Sequence, residues 1–123
     1  MKETNKTFNQ RGVVVWFTGL PSSGKTSISR ELKSRLSQRN ILACTLDGDK
    51  IRKGLSSDLG FSMEDRKENV RRISEVTKLF VDMDIIACVA VISPSQEGRS
   101  IAKSIFRPGQ FIEVYLECPT EEC

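Results

Sequence analysis

Apolar residues recur along the chain in two rhythms. Residues 13–17, 41–46, 85–92 and 111–117 are short, nearly continuous apolar runs rich in β-branched and aromatic side chains. Runs of that length, bounded by Gly, Pro and Asp, read as strands, and residues 13–17 match a strand buried on both faces. Between the runs the spacing turns helical. Ile28, Leu32 and Leu36 predict an apolar face on a helix over residues 25–39. Val70, Ile73, Thr77 and Phe80, joined by Val76 and Leu79, stripe a long helix that opens at Ser62, where Asp65 completes a capping-box pattern. Residues 50–61 read as a short helix and then a loop containing Gly60, and Asp47-Gly48-Asp49 reads as a turn ending the second strand. Ser93-Pro94 opens another helix, with proline at its favoured first position, and Pro108-Gly109 breaks it. Pro119 to Cys123 resemble the first turn of a further helix.

Strand and helix therefore alternate, which implies an α/β fold with a parallel sheet between helical layers. The length of 123 residues fits one domain, over residues 12–123, behind a polar lead-in over residues 1–11. The chain stops where a covering helix is expected, so the domain is read as incomplete at its C-terminus. A hydrophobic fraction of 38% with 28% charged residues describes a soluble globular protein. The longest apolar run is too short to cross a bilayer, and no secretory signal is visible at the polar N-terminus. Cys44, Cys88, Cys118 and Cys123 form no CxxC pair and there is no histidine, so the expectation is no zinc site, reduced thiols and a cytoplasmic setting. Without histidine, acid–base work falls to carboxylate, lysine, serine or metal. The net charge of +3 is mild. Arg52, Lys53, Arg66, Lys67, Arg71 and Arg72 cluster within the middle third, either as a solvated helix face or as a pocket for a small anion. A nucleic-acid surface is disfavoured by the scarcity of aromatics there.

The segment Gly19-Leu20-Pro21-Ser22-Ser23-Gly24-Lys25-Thr26 satisfies G-x-x-x-x-G-K-[ST] at every fixed position, between a predicted buried strand and a predicted amphipathic helix. Glycines let successive N–H groups curl toward phosphate oxygens, and the helix N-terminus adds positive potential. Lys25 then neutralises the β- and γ-phosphates, and the Thr26 hydroxyl ligates Mg²⁺. Pro21 contributes no N–H. The pattern predicts the three-layer P-loop NTPase fold with ATP and Mg²⁺ as cofactors. Asp47 and Asp49 lie at the carboxyl end of the second strand, where parallel sheets bind ligands. They read equally as metal or proton-accepting carboxylates and as plain turn residues. Ser93 lies at the end of the third strand, where a helix cap is the simpler reading and is compatible with a ligand contact.

The stretch LDGDKIRKGLSSDLGFSMEDRKENVRRISEVTKLF over residues 46–80 closely resembles the adenylyl-sulfate kinases, as do GLPSSGKT, VISP and FIEVYLECPTEEC. The resemblance runs from about residue 12 to the end. It implies phosphorylation of the ribose 3′-hydroxyl of adenylyl sulfate by ATP with Mg²⁺. By the same resemblance Lys25, Asp49 and Ser93 are catalytic. Thr26 and Asp49 serve the metal, and Asp47, Arg52, Phe61, Arg66, Asn69 and Ser93 hold the substrate. Arg52, Arg66 and Asn69 match positions at its sulfate-phosphate end and ribose, and Phe61 matches an aromatic on its adenine. Ser93 matches a serine described as a phosphoserine intermediate, although in-line transfer requires only positioning and charge neutralisation. Homodimerisation, or fusion to an ATP sulfurylase, accompanies this family. Ser95-Gln96 and Gly98-Arg99 stand where it usually has Tyr-Arg and Asp-Arg, and its lid segment lies beyond Cys123. Two alternatives stay open: a remnant that binds nucleotide without turnover, and a P-loop kinase for another small hydroxylated metabolite.

Overall fold

In the computed structural model, residues 10–19, 24–91 and 96–116 are described. Strands β1 (Val14–Gly19), β2 (Ala43–Asp47), β3 (Ile86–Ala90) and β4 (Phe111–Leu116) alternate with helices α1 (Lys25–Gln38), α2 (Gly48–Lys53), α3 (Met63–Asp82) and α4 (Gln96–Ile105). The strands form one parallel sheet in the order β2-β3-β1-β4.

Alternation along β1 divides the core in two. Val14 and Trp16 face α3 and α4, packing with Val70, Ile73, Ala102 and Phe106. Val15 and Phe17 face the other way, with Cys88 and Leu32 of α1. Helices on both faces make the three layers expected of a parallel sheet. Trp16 is fully buried, its ring centroid 5.9 Å from Phe111, and Phe111 lies 5.8 Å from Phe106.

The order of the strands decides where a ligand can sit. The chain leaves central β1 toward β2 and later crosses back to β4, so the carboxyl ends of β1, β2 and β3 border one crevice. Phe17 pairs with Ala90, and Ala90 with Asp47, so Asp47 stands level with the last turns of β1.

Four expectations need correction. Ile28 is 43% exposed, and Ser29 is buried in its place, its hydroxyl 3.5 Å from the Cys88 carbonyl. Residues four apart drift around a helix, so the stripe facing the sheet is Ser29, Leu32, Leu36. Leu79 is 64% exposed because it lies nine residues from Val70, roughly 180° around α3. The strand boundaries differ by one or two residues, with β1 extending to Gly19 and β3 ending at Ala90. Asp47-Gly48-Asp49 is not a simple turn: Asp47 ends β2 and caps α2, which begins at Gly48.

Candidate active site

The glycine motif joins β1 to α1. Gly19 ends the strand with φ 140°, and Gly24 precedes the helix at φ 87°, in the left-handed region. A Cβ at Gly24 would meet nothing within 4 Å, so the backbone twist, not crowding, requires glycine there. Gly24 also offers no side-chain cap to α1, although its carbonyl accepts the Ile28 N–H at 3.0 Å. The positive end of the α1 dipole therefore faces the glycine motif without a side-chain cap from Gly24. Leu20, Pro21, Ser22 and Ser23 lie outside the described residues, as do the side chain of Lys25 and the whole of Ser93.

Beside this helix end is a small cleft lined by Thr26, Ser29, Arg30, Thr45, Asp47 and Lys50, among others. Asp47 has two partners there. Its Oδ1 accepts the Asp49 N–H at 3.1 Å, and its Oδ2 lies 3.4 Å from Arg30 Nη2. The first bond is the N-cap that turns β2 directly into α2. A Cβ at Gly48 would stand 3.4 Å from the Ala90 carbonyl and 3.5 Å from Val91, so the start of α2 lies in close contact with the end of β3. Thr26 and Asp47 therefore share one wall, whereas Asp49 is exposed on the first turn of α2. The Thr26 hydroxyl and the Asp47 carboxylate are hard oxygen donors of the kind that suits Mg²⁺. Arg30 was missed by the sequence reading. Its signal was available, because it lies one turn beyond Thr26 on the same helix face.

The segment after α2 builds a second wall. Arg52 Nη1 donates to the Gly60 carbonyl at 2.7 Å and to that of Leu59 at 3.4 Å. Its guanidinium carbon lies 4.5 Å from the centre of the Phe61 ring. Phe61 is 73% exposed, so the ring is a surface platform and not a core residue. The Gly60 N–H donates to Asp65 Oδ2 at 2.7 Å, and the Asp65 N–H donates to Ser62 Oγ at 3.1 Å. Ser62 thus caps α3 as expected, but the Asp65 carboxylate reaches two residues beyond the cap.

Arg66 and Asn69 lie three apart on α3 and so share a face. Arg66 is exposed and forms no ion pair among the described residues. Asn69 is buried, and its Oδ1 has no hydrogen-bond partner, an unmet acceptor at a position the sequence assigned to substrate. The other arginines of the basic segment are engaged. Arg71 and Arg72 both donate to Glu68, which holds the Glu68 carboxyl down at about 2. The hydrogen bond from Arg72 likewise holds the Asp58 carboxyl below the usual range. The basic cluster thus splits into a salt-bridged helix face at Arg71 and Arg72 and an anion-facing candidate set at Arg52 and Arg66. Away from this edge, Cys44 and Cys88 are free thiols, and burial pushes Cys88 up to about 11. Cys118 and Cys123 lie outside the described residues. No helix among the described residues is long and apolar enough to cross a membrane.

The adenylylsulphate kinase family model matches residues 11–123. An adenylyl-sulfate kinase of Thermodesulfovibrio yellowstonii is 47% identical over 122 residues, covering 99% of this chain and 61% of that protein. The Mycobacterium tuberculosis APS kinase CysC, solved in complex with AMPPNP and APS, superposes with TM-score 0.87 at 43% identity over 93% of this chain and 67% of that one. The hexameric APS kinase from Thiobacillus denitrificans gives TM-score 0.79 at 36% identity, covering 90% of this chain and 24% of that one. The chain spans about three fifths of the length of the curated relatives it matches.

Proposed function

Because the chain belongs to the adenylylsulphate kinase family, we propose that it transfers the γ-phosphoryl group of ATP to the ribose 3′-hydroxyl of adenylyl sulfate. The products are ADP and 3′-phosphoadenylyl sulfate. The observation that supports this reading is the cleft that Thr26 and Arg30 of α1 share with Asp47 and Lys50. The same Asp47 caps α2, the helix that carries Arg52 and its stack on Phe61.

Each residue then has a task set by its chemistry. The backbone around Gly19 to Gly24 cradles the triphosphate, and Lys25 and the α1 dipole offset its charge. The Thr26 hydroxyl and the Asp49 carboxylate would hold Mg²⁺, which would supply charge neutralisation at the phosphoryl oxygens. Asp47 positions the start of α2 through its bond to the Asp49 N–H, and Asp49 accepts the proton leaving the 3′-hydroxyl. Phe61 offers a ring face to adenine. Arg52 and Arg66 present planar forks to the sulfate-phosphate end, and the unmet Asn69 Oδ1 accepts from the ribose. The resemblance assigns Ser93 to the acceptor, and no covalent intermediate on it is required, since in-line transfer needs only alignment. The reading extends to a cytoplasmic setting, in keeping with the free thiols of Cys44 and Cys88, and to assembly with further copies or with an ATP sulfurylase domain.

The test is ADP release coupled to a dye, with adenylyl sulfate as acceptor. The expected outcome is turnover that needs both substrates and falls at least about a hundredfold in Lys25→Ala. Turnover no greater than that of the Lys25→Ala control would contradict it, and turnover only with other hydroxylated metabolites would reassign the acceptor.

A further inference from the structure

One side chain outside the proposed catalytic set holds the substrate wall in place. Arg72 of α3 donates from Nε to Glu68 Oε2 at 3.0 Å, which orients the guanidinium from within its own helix. Nη1 then reaches across to the Leu55 carbonyl at 3.1 Å and to Asp58 Oδ1 at 2.7 Å, while Nη2 donates to Asp58 Oδ2 at 3.1 Å. Such a two-pronged pairing fixes angle as well as distance. The Arg72 side chain is 26% exposed and that of Asp58 63%, so the pairing stands at the surface and acts through its geometry more than through shielding.

Leu55 and Asp58 belong to the irregular segment between α2 and α3, whose far end carries Phe61. The Ser56 N–H ties that segment back to the Ile51 carbonyl of α2 at 2.9 Å, and its remaining internal bonds are single turns, Ser57 N–H to Gly54 O and Leu59 N–H to Ser56 O, each at 3.1 Å. Ser56 is fully buried, yet its hydroxyl has no partner and adds nothing to the attachment. At the tip, Arg52 grips the Leu59 and Gly60 carbonyls and Asp65 grips the Gly60 N–H. Arg52 cannot be counted as a fixed anchor if it also meets the substrate. Among the described residues, the side-chain bonds that tie the middle of the segment to α3 are those of Arg72.

We propose that Arg72 is a positioning residue for the acceptor nucleotide. Through Asp58 and the Leu55 carbonyl it sets where the Phe61 ring and the Arg52 guanidinium stand, and so it sets affinity for adenylyl sulfate but not for ATP. The proposal rests on the function proposed above. Arg72 touches no reacting atom in this account, and its influence passes wholly through the segment it holds.

The experiment is calorimetric titration of the full chain with adenylyl sulfate alone and, separately, with Mg·ATP alone. The proteins compared are the parent, Arg72→Ala, Arg72→Lys and Asp58→Asn. Arg72→Ala is expected to raise the Kd for adenylyl sulfate about tenfold while that for Mg·ATP stays within about twofold. Arg72→Lys keeps the charge but loses the fork, so it should resemble Arg72→Ala more than the parent. Asp58→Asn, a change on the exposed side of the segment, should weaken adenylyl sulfate several-fold and supplies the same comparison if Arg72→Ala does not fold. Equal weakening of both ligands, or unchanged adenylyl sulfate binding in Asp58→Asn, would overturn the positioning role alone. A parent that takes Mg·ATP but no adenylyl sulfate would overturn the acceptor assignment and this proposal with it.

Discussion

Gly24 illustrates how a single residue prepares the nucleotide end of the site. Its φ of 87° suits glycine, and the space around it is empty, so Gly24→Ala introduces strain without a clash. We expect a loss of about 1–2 kcal/mol in urea unfolding, together with weaker Mg·ATP binding. Asp47 is a different case, because the residue types were legible but their role was not. Asp-Gly is as good a turn former as it is a cap, and only the bond from the Asp49 N–H to Asp47 Oδ1 decides for the cap. Asp47→Ala should therefore cost about 1 kcal/mol of stability through the lost cap, besides its effect on the site. Glu68 gives a pH signature. Its carboxyl binds a proton less readily in the folded chain, at about 2 against an ordinary 4.5, because Arg71 and Arg72 donate to the carboxylate. Protonation thus favours unfolding. The contribution is fully present above the ordinary value and disappears as pH falls through about 2. Acid titrations of unfolding midpoints should show a shallower fall for Glu68→Gln than for the parent, and identical curves would contradict that role.

Among the elements, α3 was read best, because a helix of 20 residues repeats its pattern often enough to show its phase. Val70, Ile73 and Thr77 are buried as the spacing predicts, and Ser62 caps the start. The errors came from treating every apolar side chain as inward. Leu79 is apolar but on the wrong side of the helix. Ser74 and Asn69 are polar yet buried, and Ser74 tolerates burial by donating to the Val70 carbonyl at 2.8 Å. Ile73→Ala should cost about 2–5 kcal/mol in chemical denaturation, while Leu79→Ala should stay within about 0.5 kcal/mol. Ser62→Ala should cost about 1 kcal/mol, measured in the same way. The clamp on the segment between α2 and α3 was not legible, because Arg72 meets residues 14 and 17 positions away in an irregular stretch with no period to read.

For the molecule as a whole, the alternation of strand and helix was enough to predict a parallel three-layer fold, because covered parallel strands leave few other arrangements. The strand order was not legible, since no local pattern says that β1 stands between β3 and β4. That order matters, because it brings Thr26 and Arg30 at the start of α1 to one cleft with Asp47 at the end of β2. The proposed acceptor comes from the resemblance over residues 46–80, a block that the family match over residues 11–123 includes. The proposed function rests on nucleotide binding by the motif between Gly19 and Thr26. Calorimetric titration of the folded chain with Mg·ATP measures it most directly. The account predicts a saturable heat with one equivalent bound, lost in Lys25→Ala; a chain that is folded by circular dichroism and gives no heat would contradict it.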